Sequence, residues 1–422
     1  MSSDKTKSNS LIYYFLAILI VYLPFQRLLE QVLLNRGFSE SLVFWTTHFY
    51  EPLIIIALLL NCIIAIKNGS LKSKINWMII ISVVLVVLSI ISILILSPSI
   101  SRGIEGFRFT IFMLLAFLAA YWSNLPESRV NKLTNIYLIM AGVFALWGIL
   151  ERFLPINYLV TWGLITPDSN FGYGVNKVGE IYQSVSGIGG PNQLASYLLP
   201  AVFISLYKIL NIKDKKYYYR ILIIDCITAV ILTFSRSAWI GLYAGMLVSA
   251  VILIKNSWLK IASIVILLAF AVGIGFYYLN KPNDILTHGA SDTGHKSAYQ
   301  LSMTEIKNRT SQPITLLFGS GIGTAGPAAL KYGDGFISES WYLQLVLEVG
   351  VIGLALWLIF IYYLLVLLYK KNQGLFLALI AISIAAIFLH TFADNPAMSI
   401  TLFILIGATI SNLKPQISNI HC

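Results

Sequence analysis

The chain has 422 residues, 58% hydrophobic and only 11% charged, with a formal net charge of +11 and a mean hydropathy of +0.80. A soluble domain carries about 25% charged residues, so lipid is the solvent here and a water-soluble globular enzyme is excluded. The basic residues sit in short groups between apolar stretches rather than on one patch, which rules out nucleic acid as partner and leaves membrane lipid.

A crossing needs about 20 apolar residues to span about 30 Å of hydrocarbon. Suitable runs fall at 11–25, 42–66, 77–96, 107–122 and 137–153, then at 191–210, 221–234, 238–254 and 259–279, and finally at 349–369, 375–392 and 395–410. These predict an all-α fold: a polytopic integral membrane protein of about twelve transmembrane helices forming a single membrane domain over 1–422. Five helices occupy 1–153, an outer loop 154–190 and helices six to nine 191–279. A large extracytoplasmic loop, 280–340, separates helices nine and ten, and the last three helices lie in 341–422. No small-residue cleavage site follows the first run, which therefore reads as a retained helix.

With the N-terminus inside, the short inner segments collect Lys67, Lys72, Lys74, Arg129, Lys132, Lys208, Lys213, Lys215, Lys216 and Arg220, and later Lys255, Lys260, Lys370 and Lys371. That is the positive-inside pattern of a multi-pass protein. No inner segment is long enough for a nucleotide-binding domain, and no G-x-x-x-x-G-K-[ST] or G-x-G-x-x-G stretch occurs, which argues against ATP-driven pumping. Cys62 and Cys226 lie inside apolar runs and Cys422 is the last residue, so neither a disulfide framework nor a metal spacing is present.

Charged groups at membrane depth cost about 2.5–3.5 kcal/mol each, so their positions carry information. His48, Glu51, Arg108, Glu151, Arg152, Arg236, Glu348 and Asp394 all fall in or near the outer half, with Asp225 the inner exception. Arg236 is the most informative. As one helix, the apolar stretch 221–254 would run about 51 Å, too long for one crossing, so it must fold back at Ser235, Arg236 and Ser237. The fold-back leaves Arg236 below the outer surface, where irregular backbone needs protein or a watery cavity around it.

Gly189, Gly190, Pro191 and Asn192 open the sixth span either as ordinary helix-start residues or as an anion site built on free N–H groups. Glu339 reads equally as a helix-start carboxylate or as a general base aimed at the cavity holding Arg236. Arg102 and Arg108 are secondary candidates for an anionic ligand. Glu348 reads as a structural anchor where helices pack closely, and His48 with Glu51 reads as a pair for Arg108 or Arg152. His288 and His295 lack a third ligand at recognisable spacing, so no metal and no cofactor is expected.

At residues 186–199 (SGIGGPNQLASYLL), 234–242 (FSRSAWIGL), 317–323 (LFGSGIG) and 338–353 (SESWYLQLVLEVGVIG), the chain resembles the superfamily of O-antigen ligases and Wzy-type O-antigen polymerases. The resemblance covers about residues 180–370. It implies a metal-independent glycosyltransferase that takes a polyprenyl diphosphate-linked glycan as donor and a glycan or lipid as acceptor. It also implies the cytoplasmic (inner) membrane, with the active site facing outside and other surface-glycan assembly proteins as further partners. Arg236 would then stabilise the leaving diphosphate and Glu339 take the acceptor proton. Gly189, Gly190, Asn192 and Ser340 would line the site. Two positions depart from the family pattern. Glu339 stands where the ligases have a His, and Gln183 stands where an Arg is usual, with Lys177 the nearest upstream cation. These departures point away from a lipid A core acceptor, toward a polymerase or a ligase with another acceptor. The rival function is a transporter or flippase of lipid-linked sugars or small anions, which favours two similar halves with interrupted helices. No second copy of the 221–254 stretch is found.

Overall fold

A computed structural model describes residues 2–67, 76–154, 177–178, 181–211, 216–280, 289–332 and 336–411. Its framework begins with helices α1 (Ser2–Tyr22), α2 (Tyr50–Lys67), α3 (Trp77–Ile95), α4 (Phe112–Trp122), α5 (Glu127–Leu150) and α6 (Pro191–Asn211). It continues with α7 (Lys216–Leu232), α8 (Arg236–Leu253), α9 (Ser257–Asn280), α10 (Trp341–Lys371), α11 (Gln373–Ala385) and α12 (Pro396–Ile410). The only strands among the described residues are Lys177–Val178 and Ile181–Tyr182, paired antiparallel.

By length and hydropathy, seven of the described helical stretches can cross a membrane, or eight if the Ile100–Thr110 helix and α4, bent by 53°, form one span. The expected number of about twelve is reached only by adding α7, α9, α11 and α12. Of these, α7 has 17 residues and includes Lys216, Arg220 and Asp225, and α11 and α12 have 13 and 15 residues, each short of a full crossing. The stretch 280–340, expected as a loop, contains helices Gly289–Asn308, Pro313–Phe318 and Pro327–Lys331.

Helix α3 shows what the solvent is. Ile80, Val83, Val84, Val87, Ile90, Ile91 and Leu94 form an exposed stripe at helical spacing, while Ser82, Ser89 and Ser92 point into the protein. The arrangement is the reverse of a soluble helix, because the exposed stripe is the apolar one. Ser82 and Ser89 spend their hydroxyls on Ile79 O and Leu85 O, so the buried face leaves no polar atom unpaired there.

The helix ends segregate charge. Arg129 near the start of α5 donates to Ser10 on α1, Asn76 before α3 donates to Tyr121 on α4, and Lys208 on α6 donates to Asn135 on α5, so these ends share one side of the bundle. Lys67, Lys216, Arg220, Lys370 and Lys371 cap helices at that same side by chain alternation. The ends of α5, α7 and α11 and the starts of α6, α8, α10 and α12 meet at the other side.

The start of α10 is fixed by an aromatic cluster. The Trp341 ring lies 5.3 Å from that of Trp357 and 5.6 Å from that of Phe392, all fully buried. Trp341 N also donates to Ala386 O and Leu389 O at 3.0 and 3.3 Å, tying the start of α10 to the connection between α11 and α12. Within α10 the helix breaks at Gly350, whose φ of 73° is open to glycine.

Candidate functional site

Three of the stretches singled out in the sequence have, at their first or second residue, backbone that residues with a side chain rarely adopt: Ser186 (φ 50°), Phe234 (φ 53°) and Glu339 (φ 52°). Asn124 is the only other non-glycine residue with positive φ among those described. Left-handed backbone costs about 1–2 kcal/mol per residue and persists only where its surroundings hold it.

The first two stretches hold each other. Ser184 N donates to Leu232 O at 3.1 Å and Gln183 Nε2 to Thr233 O at 2.9 Å, lacing residues 183–184 to the turn after α7. The Glu151 carboxylate accepts from Val185 N and Ser186 N at 2.9 and 3.0 Å, and Ser186 Oγ donates to Phe144 O at 2.7 Å. Gly187 and Gly189 then turn the chain into α6 with positive φ. Across the α7–α8 break, Trp239 Nε1 donates to Val230 O at 3.1 Å. Ser235 Oγ donates to Asn192 Oδ1 at 2.7 Å, so the residue before Arg236 is bonded to the first turn of α6. Arg236 is the first residue of α8 and is half-buried.

The third stretch joins through one more carboxylate. Asp394, in the Thr391–Asp394 turn before α12, accepts from Gln193 Nε2 at 2.6 Å, and its other oxygen lies 3.5 Å from His390 Nε2. Gln193 Oε1 lies where a Cβ on Gly190 would be. Asn395 Nδ2 secures the same turn by donating to Gln193 O at 2.6 Å. On the far face of the imidazole, His390 Nδ1 lies 3.9 Å from Glu339 Oε2, and His295 Nδ1 lies 3.1 Å from the same oxygen. Neither Nδ1 makes a hydrogen bond. Glu339, His390, Asp394 and Gln193 therefore line up as a polar chain with a 3.9 Å gap between His390 and Glu339, and Asn192, next to Gln193 in sequence, carries the bond to Ser235, the residue before Arg236.

His390 and Asp394 lie in the connection between α11 and α12, where Thr391–Asp394 form one short helical turn that His390 precedes. Burial alone pushes the His390 imidazole down, but the Asp394 carboxylate, aided by Glu339, more than offsets this and leaves it above its usual value. Burial pushes the Asp394 carboxyl up, yet His390, the Gln193 hydrogen bond and the charge of Arg27 together hold it below the usual carboxylate range. The carboxylate and the imidazole thus each favour the other's charged form.

Other expected site residues lie elsewhere. Arg102 is buried, donates from Nε to Gly323 O at 2.7 Å and stacks 5.6 Å from the Tyr332 ring. Arg108 pairs with Glu51 at 2.6 Å and lies over Phe44. Both guanidinium groups thus hold the Ile100–Thr110 helix against its neighbours. Ser340 is buried, and its carbonyl accepts from Ser338 Oγ. Lys177 belongs to the short strand pair. Glu348 accepts from Thr110 Oγ1, Gly323 N and Ala325 N, anchoring α10 to residues 317–325. His390 and Gln193 are the members of the polar chain that sequence reasoning missed. The available signal was a lone His near the end of an apolar run, which ordinarily reads as a core residue.

Among the described residues, no group of three or more His, Cys, Asp and Glu side chains could hold a metal ion. Comparison of the chain with protein-family models gives no match, and comparison with curated proteins gives none.

Proposed function

We propose that the chain is a membrane glycosyltransferase that polymerises or ligates polyprenyl diphosphate-linked oligosaccharides at the outer face of the cytoplasmic membrane. The observation that carries this reading is the meeting of three motif stretches, distant in sequence, around the start of α6 and the α11–α12 connection: Ser235 on Asn192, Gln193 on Asp394, and His390 between Asp394 and Glu339. These are the stretches through which the chain resembles the O-antigen ligase and polymerase superfamily.

The same reading takes α7, α9, α11 and α12 as crossings, which raises eight spans to twelve, with the basic helix ends in the cytoplasm. The polar chain then faces outside, with the 280–340 segment beside it. No nucleotide sugar is available there, so the donor must arrive already activated, and a lipid diphosphate is such a donor. The acceptor hydroxyl oxygen attacks the anomeric carbon; the bond from that carbon to the diphosphate oxygen breaks, and the electron pair leaves on the diphosphate. Arg236 supplies positive charge at that oxygen. Glu339 removes the acceptor proton. Gly189, Gly190 and Asn192 shape the wall between them.

The test uses membranes from cells expressing the chain and a labelled lipid-linked donor extracted from cells lacking the gene. Release of polyprenyl diphosphate together with longer or newly attached glycan is expected. Movement of intact donor across the bilayer with no release would sink the reading and favour a transporter or flippase.

A further inference from the structure

The side chain of His390 is only 7% exposed, and its Nδ1 has no hydrogen-bond partner. A buried polar nitrogen left unpaired is costly and needs a reason. Its surroundings supply one. Nε2 faces Asp394 at 3.5 Å, and Asp394 is itself locked by Gln193 at 2.6 Å; Nδ1 faces Glu339 Oε2 at 3.9 Å. Closing that gap to a hydrogen bond takes a shift of about 1 Å. Glu339 in turn sits on the segment bound to the His390 connection through Trp341 N, so the two side chains approach without either helix moving.

We propose that His390 is a positioning residue and proton store for Glu339: the acceptor proton taken by Glu339 passes to His390 Nδ1, and Asp394 stabilises the imidazolium. This rests on the glycosyltransfer reading above. In that reaction the acceptor O–H bond breaks as its oxygen bonds the anomeric carbon, the electron pair of the broken bond to diphosphate stays on the diphosphate, and the proton is held on His390 until product leaves. Glu339 is thereby returned to its anionic form within the same turnover.

The charged groups around the imidazole agree with this role. Asp394 and Glu339 bear on His390 directly, and the raised affinity of the imidazole for a proton follows from them. His295 faces Glu339 from the Gly289–Asn308 helix, and Arg27 bears on Asp394. The Ile100–Thr110 helix packs on the 391–394 turn, but its Arg102, Glu105 and Arg108 are engaged with Gly323, Lys331 and Glu51. From α10, Glu348 is engaged with Thr110. A store must be empty to accept a proton, so activity should fall as pH drops through the His390 titration.

The experiment measures kcat and KM for the extracted lipid-linked donor against pH in membranes carrying wild type, His390→Gln or Asp394→Asn at equal abundance. With His390→Gln, kcat at the wild-type optimum falls about 10²-fold with KM for donor unchanged, and the acid limb belonging to His390 disappears. With Asp394→Asn, the imidazole loses its main stabilising charge and the acid limb moves to lower pH. Wild-type turnover with an unmoved acid limb in His390→Gln overturns the inference while leaving the function standing. Should His390→Gln fail to accumulate, an unmoved acid limb in Asp394→Asn overturns it alone. A wild type that transfers nothing from the donor overturns the function and this inference together.

Discussion

Glu339 adopts φ 52°, a conformation in which a Cβ crowds the neighbouring carbonyl. Replacing Glu339 by Ala and by Gly removes the carboxylate in both cases, so the two variants differ only in the Cβ. The left-handed strain, about 1–2 kcal/mol, is present with Ala and absent with Gly, whereas Gly gives back about 0.5–1 kcal/mol through its freer unfolded chain. Glu339→Gly should therefore be more stable than Glu339→Ala by about 0.5–1 kcal/mol, the reverse of the usual order of these residues. Thermal unfolding in detergent, followed by tryptophan fluorescence, reads this directly, since Trp341 lies two residues away in the aromatic cluster. Both variants should lose about 10²–10⁴-fold in turnover if the carboxylate is the base. An alanine variant that melts at or above the glycine variant would refute the reasoning, because the surroundings would then favour the side chain rather than merely tolerate its strain.

Arg236→Lys should lose most of the transfer activity at equal membrane abundance, because a planar guanidinium offers a fork of donors to phosphate oxygens and an ammonium does not. Normal turnover in the lysine variant would reduce Arg236 to a simple counter-charge. Gly350→Ala should accumulate poorly, since φ is 73° and a Cβ would overlap the Leu317 carbonyl, while Gly273→Ala, with open space around its Cβ, should accumulate normally. Equal levels of the two would contradict the close approach at Gly350. For sidedness, Cys62, Cys226 and Cys422 are first replaced by Ser, and single cysteines are placed at Lys216 and Glu305. An impermeant thiol reagent should label position 305 and spare position 216 in intact cells; the opposite pattern would invert the orientation.

Hydropathy makes the membrane class legible because lipid demands continuous apolar length. The 77–96 run, for instance, coincides closely with α3 at Trp77–Ile95. The same signal is blind to polar residues that prolong a helix, and α1 begins at Ser2 although its apolar run begins at residue 11. It also cannot see a break made by tertiary contact. Residues 107–122 read as one span, yet the helix bends at Ile111, and Gly106 presses on Gly323 so closely that a Cβ would overlap its backbone. Arg236 and Glu339 stand out in the sequence because charges at membrane depth are costly. His390 does not, because its meaning depends on Asp394 and on a glutamate 51 residues earlier, and no local spacing records that meeting. Arg102 and Arg108 stand out for the same reason as Arg236; the pairing of Arg108 with Glu51 is legible in the sequence as one of two alternatives, whereas the Gly323 O partner of Arg102 becomes visible only once the helices are packed.

The interruption of α10 at Gly350 releases carbonyls that an unbroken helix would have used. Leu347 O accepts from Ser320 N at 2.9 Å and from Arg309 Nη1 at 2.8 Å, and Glu348 O accepts from Gly321 N at 3.2 Å. The segment that hydropathy assigns to a loop therefore completes the top of a buried helix, and neither can come away without leaving the other's backbone unpaired. The amides of Ser320 and Gly321 should exchange with solvent as slowly as those of the bundle itself, so this part of the chain opens only when the bundle opens.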